Sequence, residues 1–292
     1  MSNVLFGCDP EMFSFYTQWG QNYAISPISL EDEYGLRPEK DDVKHPIYYH
    51  NDDGCIIMDG VAFEINLFKP FKSSKDMFIA VNNLRKEFDQ QLLLSCGFNV
   101  IALPSIHFDN DKWWLDKYEH DERKLMGFIF GCDRSYNAKL ECEAPFIDAR
   151  HHEYRYGGGH IHTSHPILAD NPLQAIRTMD MLLGTYFLSK SPFKEEELER
   201  SKIYGKPGSF RPQEYKDGSK GIEYRTCSNN WLNLTTEEFS MLDILVDKVL
   251  SLLTDRNKLI TTFKQFQNDA DYAIETADFE LSEKVYKAVL SV

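Results

Sequence analysis

Three pairs of reactive side chains stand two residues apart in this chain: Asp9 and Glu11 in GCDPEMF, His160 and His162 in GGGHIHTS, and Glu223 and Arg225 in GIEYRTC. That spacing puts both members of a pair on one face of a β-strand. Glu64, in DGVAFEIN, falls on the polar side of a fourth such segment. Brought into one cleft, Asp9, Glu11, Glu64 and Glu223 repel one another by about 3 kcal/mol per pair at ~5 Å with an effective dielectric of ~20. Divalent cations, the guanidinium groups of Arg155 and Arg225, or protonation of some carboxyls would relieve that repulsion. A ligand set rich in oxygen and poor in nitrogen suits magnesium or manganese better than zinc. Such cations point toward phosphate chemistry. Taken singly, each pair has a plain reading as a solvated acid pair, hydrogen-bonded histidines or a salt bridge. Their joint occurrence on predicted strands carries the expectation.

A further stretch, YGKPGSFRP (204–212), sets Lys206 and Arg211 among glycines in what reads as a loop. Glycine-rich backbone amides beside Lys and Arg suit phosphate oxygens, although an ordinary basic turn has the same composition. The glycines before His160 serve either a tight turn or a close approach to the backbone. Nothing matches GxSxG, HExxH or the dinucleotide fingerprint, and HHEYR at 151–155 lacks the second histidine of a zincin helix. The competing chemistry is a hydrolase or lyase holding zinc or iron with HxH and Glu223. Its cupin version needs a glutamate after three or four intervening residues, where Pro166 and Ile167 stand.

These residues need a sheet to position them. Alternation marks strands in 3–16 and 55–68; in the second, Val61, Phe63 and Ile65 face one way and Ala62, Glu64 and Asn66 the other. Residues 31–54 read as a polar surface loop. A helix is predicted over about 74–95, capped by Ser73 or Ser74, with Met77, Val81, Leu84, Phe88 and Leu92 as its apolar stripe and Gly97 just past its end. Asn171 and Pro172 open another, running to about Ser189. Thr235 and Glu238 form a capping box for a third, whose buried stripe is Phe239, Leu242, Leu245, Val246, Val249 and Leu253. Residues 257–292 read as two short helices. Strands and helices do not alternate strictly, so the expected fold is α+β with an antiparallel sheet.

Composition narrows the function. The chain has 292 residues and a net charge of -14, which disfavours a nucleic-acid groove or an anionic membrane surface as main partner. Its six cysteines form no CxxC pair and read as reduced thiols in a cytosolic protein. No apolar run reaches the ~18 residues of a membrane helix.

In order, GCDPEMF, DGVAFEIN, GCDRSYNA, RYGGGHIH, YGKPGSFR and GIEYRTCSNNW resemble the motif series of a phage carboxylate-amine ligase family in the glutamine synthetase-like superfamily. The resemblance covers about residues 5–232. It implies one catalytic domain over 1–292, with its motifs at 7–231, a helical segment at 235–292, and a curved antiparallel sheet flanked by helices. It also implies ATP and magnesium or manganese as cofactors, and amide formation between a carboxylate and an amine through an acyl phosphate. By motif, Asp9, Glu11, Glu64, His160 and Glu223 would ligate metal, although an aspartate at position 9 is shorter than the glutamate common in that superfamily. Arg225 would steady the transferring phosphate. Lys206 and Arg211 would neutralise phosphate oxygens, and His162 and Arg155 would contact the nucleotide. Arg155 and Asp133 would meet the substrates, with Asp133 counted among the catalytic residues alongside Arg225 and Arg211. The amine and acid would be small molecules or peptide or protein side chains, and a homo-oligomer is compatible. An inert phage protein keeping only the fold is the remaining alternative.

Overall fold

A strand long enough to change partners organises the sheet. β1 (Leu5–Gln18) pairs along Leu5–Pro10 with one strand, at Glu11 and Met12 with a second, and along Ser14–Gln18 with a third. The computed structural model describes residues 3–40, 45–109, 121, 124–125, 135–145, 152–215 and 218–292. After β1 come β2 (Gln21–Ile25), α1 (Pro27–Tyr34), β3 (Ile47–His50), β4 (Gly54–Asp59), β5 (Ala62–Leu67), α2 (Ser74–Cys96), β6 (Val100–Ile101) and β7 (Ser105–Phe108). The next elements are β8 (Tyr136–Asn137), β9 (Cys142–Glu143), β10 (Tyr154–Tyr156) and β11 (Gly159–Ser164). Then follow α3 (Pro166–Asp170), α4 (Pro172–Met179), α5 (Thr185–Ser189), α6 (Lys194–Ile203), β12 (Ser209–Glu214) and β13 (Lys220–Tyr224). The chain ends in α7 (Thr236–Phe239), α8 (Met241–Thr254), α9 (Arg256–Thr276) and α10 (Phe279–Ser291).

The strands form one open sheet in the order β10-β7-β2-β1-β11-β13-β12-β8-β9, with β3, β4, β5 and β6 branching from β1. Every pairing is antiparallel except β2 with β7. The fold is therefore the expected α+β arrangement of an antiparallel sheet flanked by helices. One connected apolar core runs from Val4 to Val289. Among the described residues, no helix is long and apolar enough to cross a membrane. Cys8, Cys55, Cys96, Cys142 and Cys227 are free thiols.

Local sequence rules account for most boundaries. Ser73 accepts from the amide of Asp76 to start α2, and Gly97 ends it in the left-handed region at φ 80°. Met77, Val81, Leu84, Phe88 and Leu92 are all buried, and Phe88 meets Phe63 of β5 edge to face at 4.8 Å. The capping box at Thr235 and Glu238 is present in full. The segment 55–68 is a hairpin rather than one run, because Gly60 (φ 58°) lets the chain reverse between Asp59 and Ala62. The expected loop at 31–54 contains the end of α1, strand β3 and the start of β4. On α8 the stripe turns from Leu253, which is half-buried, to the fully buried Leu252. The helices after 255 number two, but the first, α9, has 21 residues.

The helix opening at Pro172 runs to Ser189 as expected, with one irregularity. Asp180–Gly184 forms a single wide π-turn between α4 and α5. Its Asp180 carboxylate accepts from the Tyr224 hydroxyl at 2.8 Å and the Thr226 hydroxyl at 3.1 Å. A Cβ at Gly184 would stand 2.5 Å from that same Tyr224 oxygen. The helix widens where the sheet pushes a phenol into it.

Candidate active site

Register brings the distant acids together. Asp9 lies directly opposite His160, Glu11 opposite Glu64, His162 opposite Glu223, and Arg211 opposite Glu223 on its other side. Cross-strand partners share a face, so β1, β5, β11, β12 and β13 each turn their polar set to the same side. The residues between them, Cys8, Ile161, Ile222 and Tyr224, are buried on the other side. Part of the polar face is itself enclosed. His160 is 0%, Glu223 1%, Arg225 1%, Glu11 5% and Glu64 9% exposed.

Two groups of potential ligand atoms result, each with its members within 4.8 Å of one another: Asp9, His162 and Glu223, and Glu11, Asp59 and Glu64. In the first, Asp9 Oδ1 lies 3.0 Å from His162 Nε2 and 3.3 Å from His160 Nδ1. The Glu223 carboxylate accepts from Arg225 Nη1 and from Gln213 Nε2, with Arg211 Nη1 3.9 Å away. Arg225 is further fixed by donating to Ser135 Oγ and to the Tyr204 hydroxyl, both at 2.9 Å. In the second group, Glu11 Oε2 accepts from the amide of Gly158 at 2.8 Å, and Glu64 Oε1 accepts from Asn66 at 2.8 Å.

The three glycines before His160 serve close approach and make no left-handed turn. A Cβ at Gly157 would stand 2.1 Å from Asn229 Nδ2, one at Gly158 2.5 Å from His160 Nε2, and one at Gly159 2.0 Å from the Ser228 carbonyl. Gly158 in particular lets Glu11 and His160 share a space that any side chain would fill.

The two groups differ in charge balance. Burial pushes the Asp9 carboxyl up, but His162 and His160 outweigh it and hold Asp9 well below the usual carboxylate range. Glu223 is likewise lowered: burial and Asp9 raise it, and His160, Arg225 and His162 prevail. Burial lowers His162 but Asp9 raises it further, while in His160 burial and Arg225 win and the imidazole is lowered. In the second group, burial followed by Asp59 pushes Glu11 up to about 8. Burial, Asp9, Asp59 and Glu11 push Glu64 well above its ordinary value. Buried like charges of this kind call for a cation or a proton. The donor set, mostly carboxylate oxygen, fits a hard divalent ion.

Of the residues singled out from the sequence, Asp9, Glu11, Glu64, His160, His162, Glu223, Arg225 and Arg211 converge, with Arg211 on strand β12 and not in a loop. Arg155 does not join them. Its guanidinium lies 4.2 Å over the Phe108 ring and donates to the carbonyls of His152 and Tyr154, on the far side of β2 and β7. Lys206 stands on the turn into β12, where its carbonyl accepts from Thr226; among the described residues no ion pair ties its ammonium to the acids. Asp133 lies outside the described residues.

Sequence reading passed over Asp59, Gln213 and Tyr204. Asp59 had a signal: across a two-residue hairpin turn, positions 59, 62 and 64 return to one face. Tyr204 had none, because it reaches the site from the end of α6. No protein-family model and no curated protein matches the chain.

Proposed function

We propose that the chain is an ATP- and magnesium-dependent ligase that joins a carboxylate to an amine through an acyl phosphate. The observation that carries this reading is the pair of acidic groups on one sheet face, with Asp9 acting electrostatically on Glu11, Glu64 and Glu223 and a buried arginine locked beside them. Phosphoryl transfer asks for charge neutralisation and alignment more than for a nucleophilic side chain. Cys8 and Cys227, on and just beyond strands of the site, are buried with their thiols pushed up, which suits neither to nucleophilic attack.

Asp9, His162 and Glu223 would hold one dication and Glu11, Asp59 and Glu64 another. Held there, magnesium supplies positive charge to the phosphate oxygens of ATP. Arg225, pinned by Glu223, Ser135 and Tyr204, would set a fixed guanidinium against the charge that spreads over a transferring phosphoryl group. Arg211, about a quarter exposed and 3.9 Å from Glu223, would offer its guanidinium to a phosphate, and Lys206 on the neighbouring turn would add a second positive charge. The burial of Glu11, Glu64, Glu223 and Arg225 would help to keep water from an acyl phosphate formed beside them, favouring the amine as acceptor.

A second reading has support in one feature. The first group contains a histidine nitrogen beside two carboxylates, a set that zinc or iron also accepts, as a hydrolase would need. Metal analysis of purified protein separates the two, since tightly held zinc at unit stoichiometry favours the hydrolase. The direct test of the ligase is ADP release with magnesium across a panel of carboxylates and amines, with mass spectrometry of the condensed product. Release should require both substrates and disappear in Glu64→Ala. Equal ATP binding by wild type and Glu64→Ala in magnesium rejects the proposal.

A further inference from the structure

The hydroxyl of Tyr204 touches two members of the site at once. Arg225 Nη2 donates to it at 2.9 Å, and His160 Nε2 lies 3.1 Å from it. On the other side of the imidazole, His160 Nδ1 is 3.3 Å from Asp9 Oδ1, 3.5 Å from Glu223 Oε1 and 3.4 Å from Arg225 Nη1. We propose that Tyr204 is a positioning residue that accepts the Nε2 proton of His160 and so turns the Nδ1 lone pair toward Asp9 and Glu223, where it completes a nitrogen-and-oxygen set for a divalent cation. The inference rests on the metal-site reading above and adds to it the group that selects the histidine's tautomer.

Three observations support the assignment. A guanidinium can only donate, so Arg225 Nη1 beside Nδ1 matches a lone pair there; an ion taking that lone pair would leave Nη1 its stronger bond to Glu223. A ligating histidine ordinarily gives its other N–H to an acceptor, which fixes ring and tautomer; here that acceptor is a neutral phenol, and a carboxylate in its place would add negative charge where two acids already converge. Finally, the phenol is itself built in. The Arg200 guanidinium stands 5.1 Å from the Tyr204 ring centroid and is anchored by donating to the carbonyls of Gly157, Thr226 and Cys227 at 3.1, 2.9 and 2.9 Å. Next to Tyr204, Gly205 sits at φ 64°, and a Cβ there would come within 2.0 Å of Arg200 Nη1. The end of α6 is thus tied to the two strand ends that carry His160 and Arg225. By accepting from both side chains, Tyr204 sets the distance between a metal-ligating nitrogen and a phosphate-steadying cation.

The test uses the full chain. Nitrogen-15 spectra of histidine-labelled wild type with magnesium should show His160 protonated at Nε2 and bare at Nδ1. In Tyr204→Phe, Mn²⁺ affinity should fall about 10- to 100-fold, the range for removing an outer partner of a ligand, beyond any drop in melting temperature in EDTA that the unpaired Arg225 and His160 donors cause. A purely structural tyrosine would move the second quantity and not the first. A proton on His160 Nδ1 in the magnesium-loaded wild type overturns the proposal, and this holds even if the variant fails to fold. Unchanged Mn²⁺ affinity in Tyr204→Phe, with wild type still binding Mn²⁺, overturns the role of Tyr204 and leaves the ligase reading standing. A wild type that takes up no Mn²⁺ overturns both.

Discussion

Asp9, His162 and Glu223 sit among imidazoles and guanidinium groups, whereas Glu11, Asp59 and Glu64 face chiefly one another. Both groups are largely buried on the same sheet, yet the protein lowers the carboxyl pKa values of Asp9 and Glu223 and raises those of Glu11 and Glu64. The first group carries its own counter-charge and can form without an ion. At Glu11, burial and neighbouring acids outweigh Arg225 among the described residues, so a cation would relieve the second group. On the proposed metal-site reading, a difference of that kind would divide labour between a preassembled half, which sets geometry, and a demanding half, which would make the site respond to a cation.

The contrast can be broken hardest at Arg225. Arg225→Met strips the first group of its buried counter-ion and leaves Glu223 only Gln213, the more distant Arg211 and His160, for an expected loss of about 3–5 kcal/mol in urea unfolding. The second group should show itself in pH dependence. Glu11, raised to about 8 from an ordinary 4.5, contributes stability that is whole below about 4.5 and is lost as pH climbs through about 8. The loss is roughly 3 kcal/mol by pH 7, and Glu64 adds in the same direction. Asp9 and Glu223, both lowered, act with the opposite sign: their contribution is present above the ordinary carboxylate value and fades as pH falls further. Urea curves in EDTA should therefore peak near mildly acid pH, Mn²⁺ should remove the alkaline decline, and Glu64→Gln should shrink it. On catalysis, Glu223→Ala should cost at least ~100-fold in turnover, read as ADP release. The smallest effect belongs far from either group: Thr235→Ala removes the α7 cap for about 1 kcal/mol and leaves Mn²⁺ affinity alone.

Much of this site could be seen before folding because a strand's period is short. Asp9 with Glu11, His160 with His162, and Glu223 with Arg225 each declare a shared face by spacing alone, and register then brings the faces together. Caps were equally plain at Ser73 and Thr235, where a side chain satisfies a backbone amide three residues on. What escaped depended on tertiary placement. Arg155 has the composition of a phosphate ligand but alternates onto the side where Phe108 lies. Asp59 required the hairpin turn to be placed, and Tyr204 required the end of α6 to be docked against β11 and β13. The strand β3 lay hidden in a polar stretch because only Tyr48 of its four residues is fully buried.

The wide turn at Asp180–Gly184 makes the helix on either side of it a pair of gears meshed one tooth out of step. Removing one residue from that turn would let the helix close to regular pitch while everything from Thr185 onward kept its present side, because five residues at the wide pitch turn the chain about as far as four at the regular one. Phe187, now buried against Phe239, would stay in the core, whereas the same deletion within the regular turns of α4 would rotate it by about 100°. A single-residue deletion in the wide turn should thus be better tolerated than one in α4, its main casualty being the berth that Asp180 gives Tyr224 and Thr226.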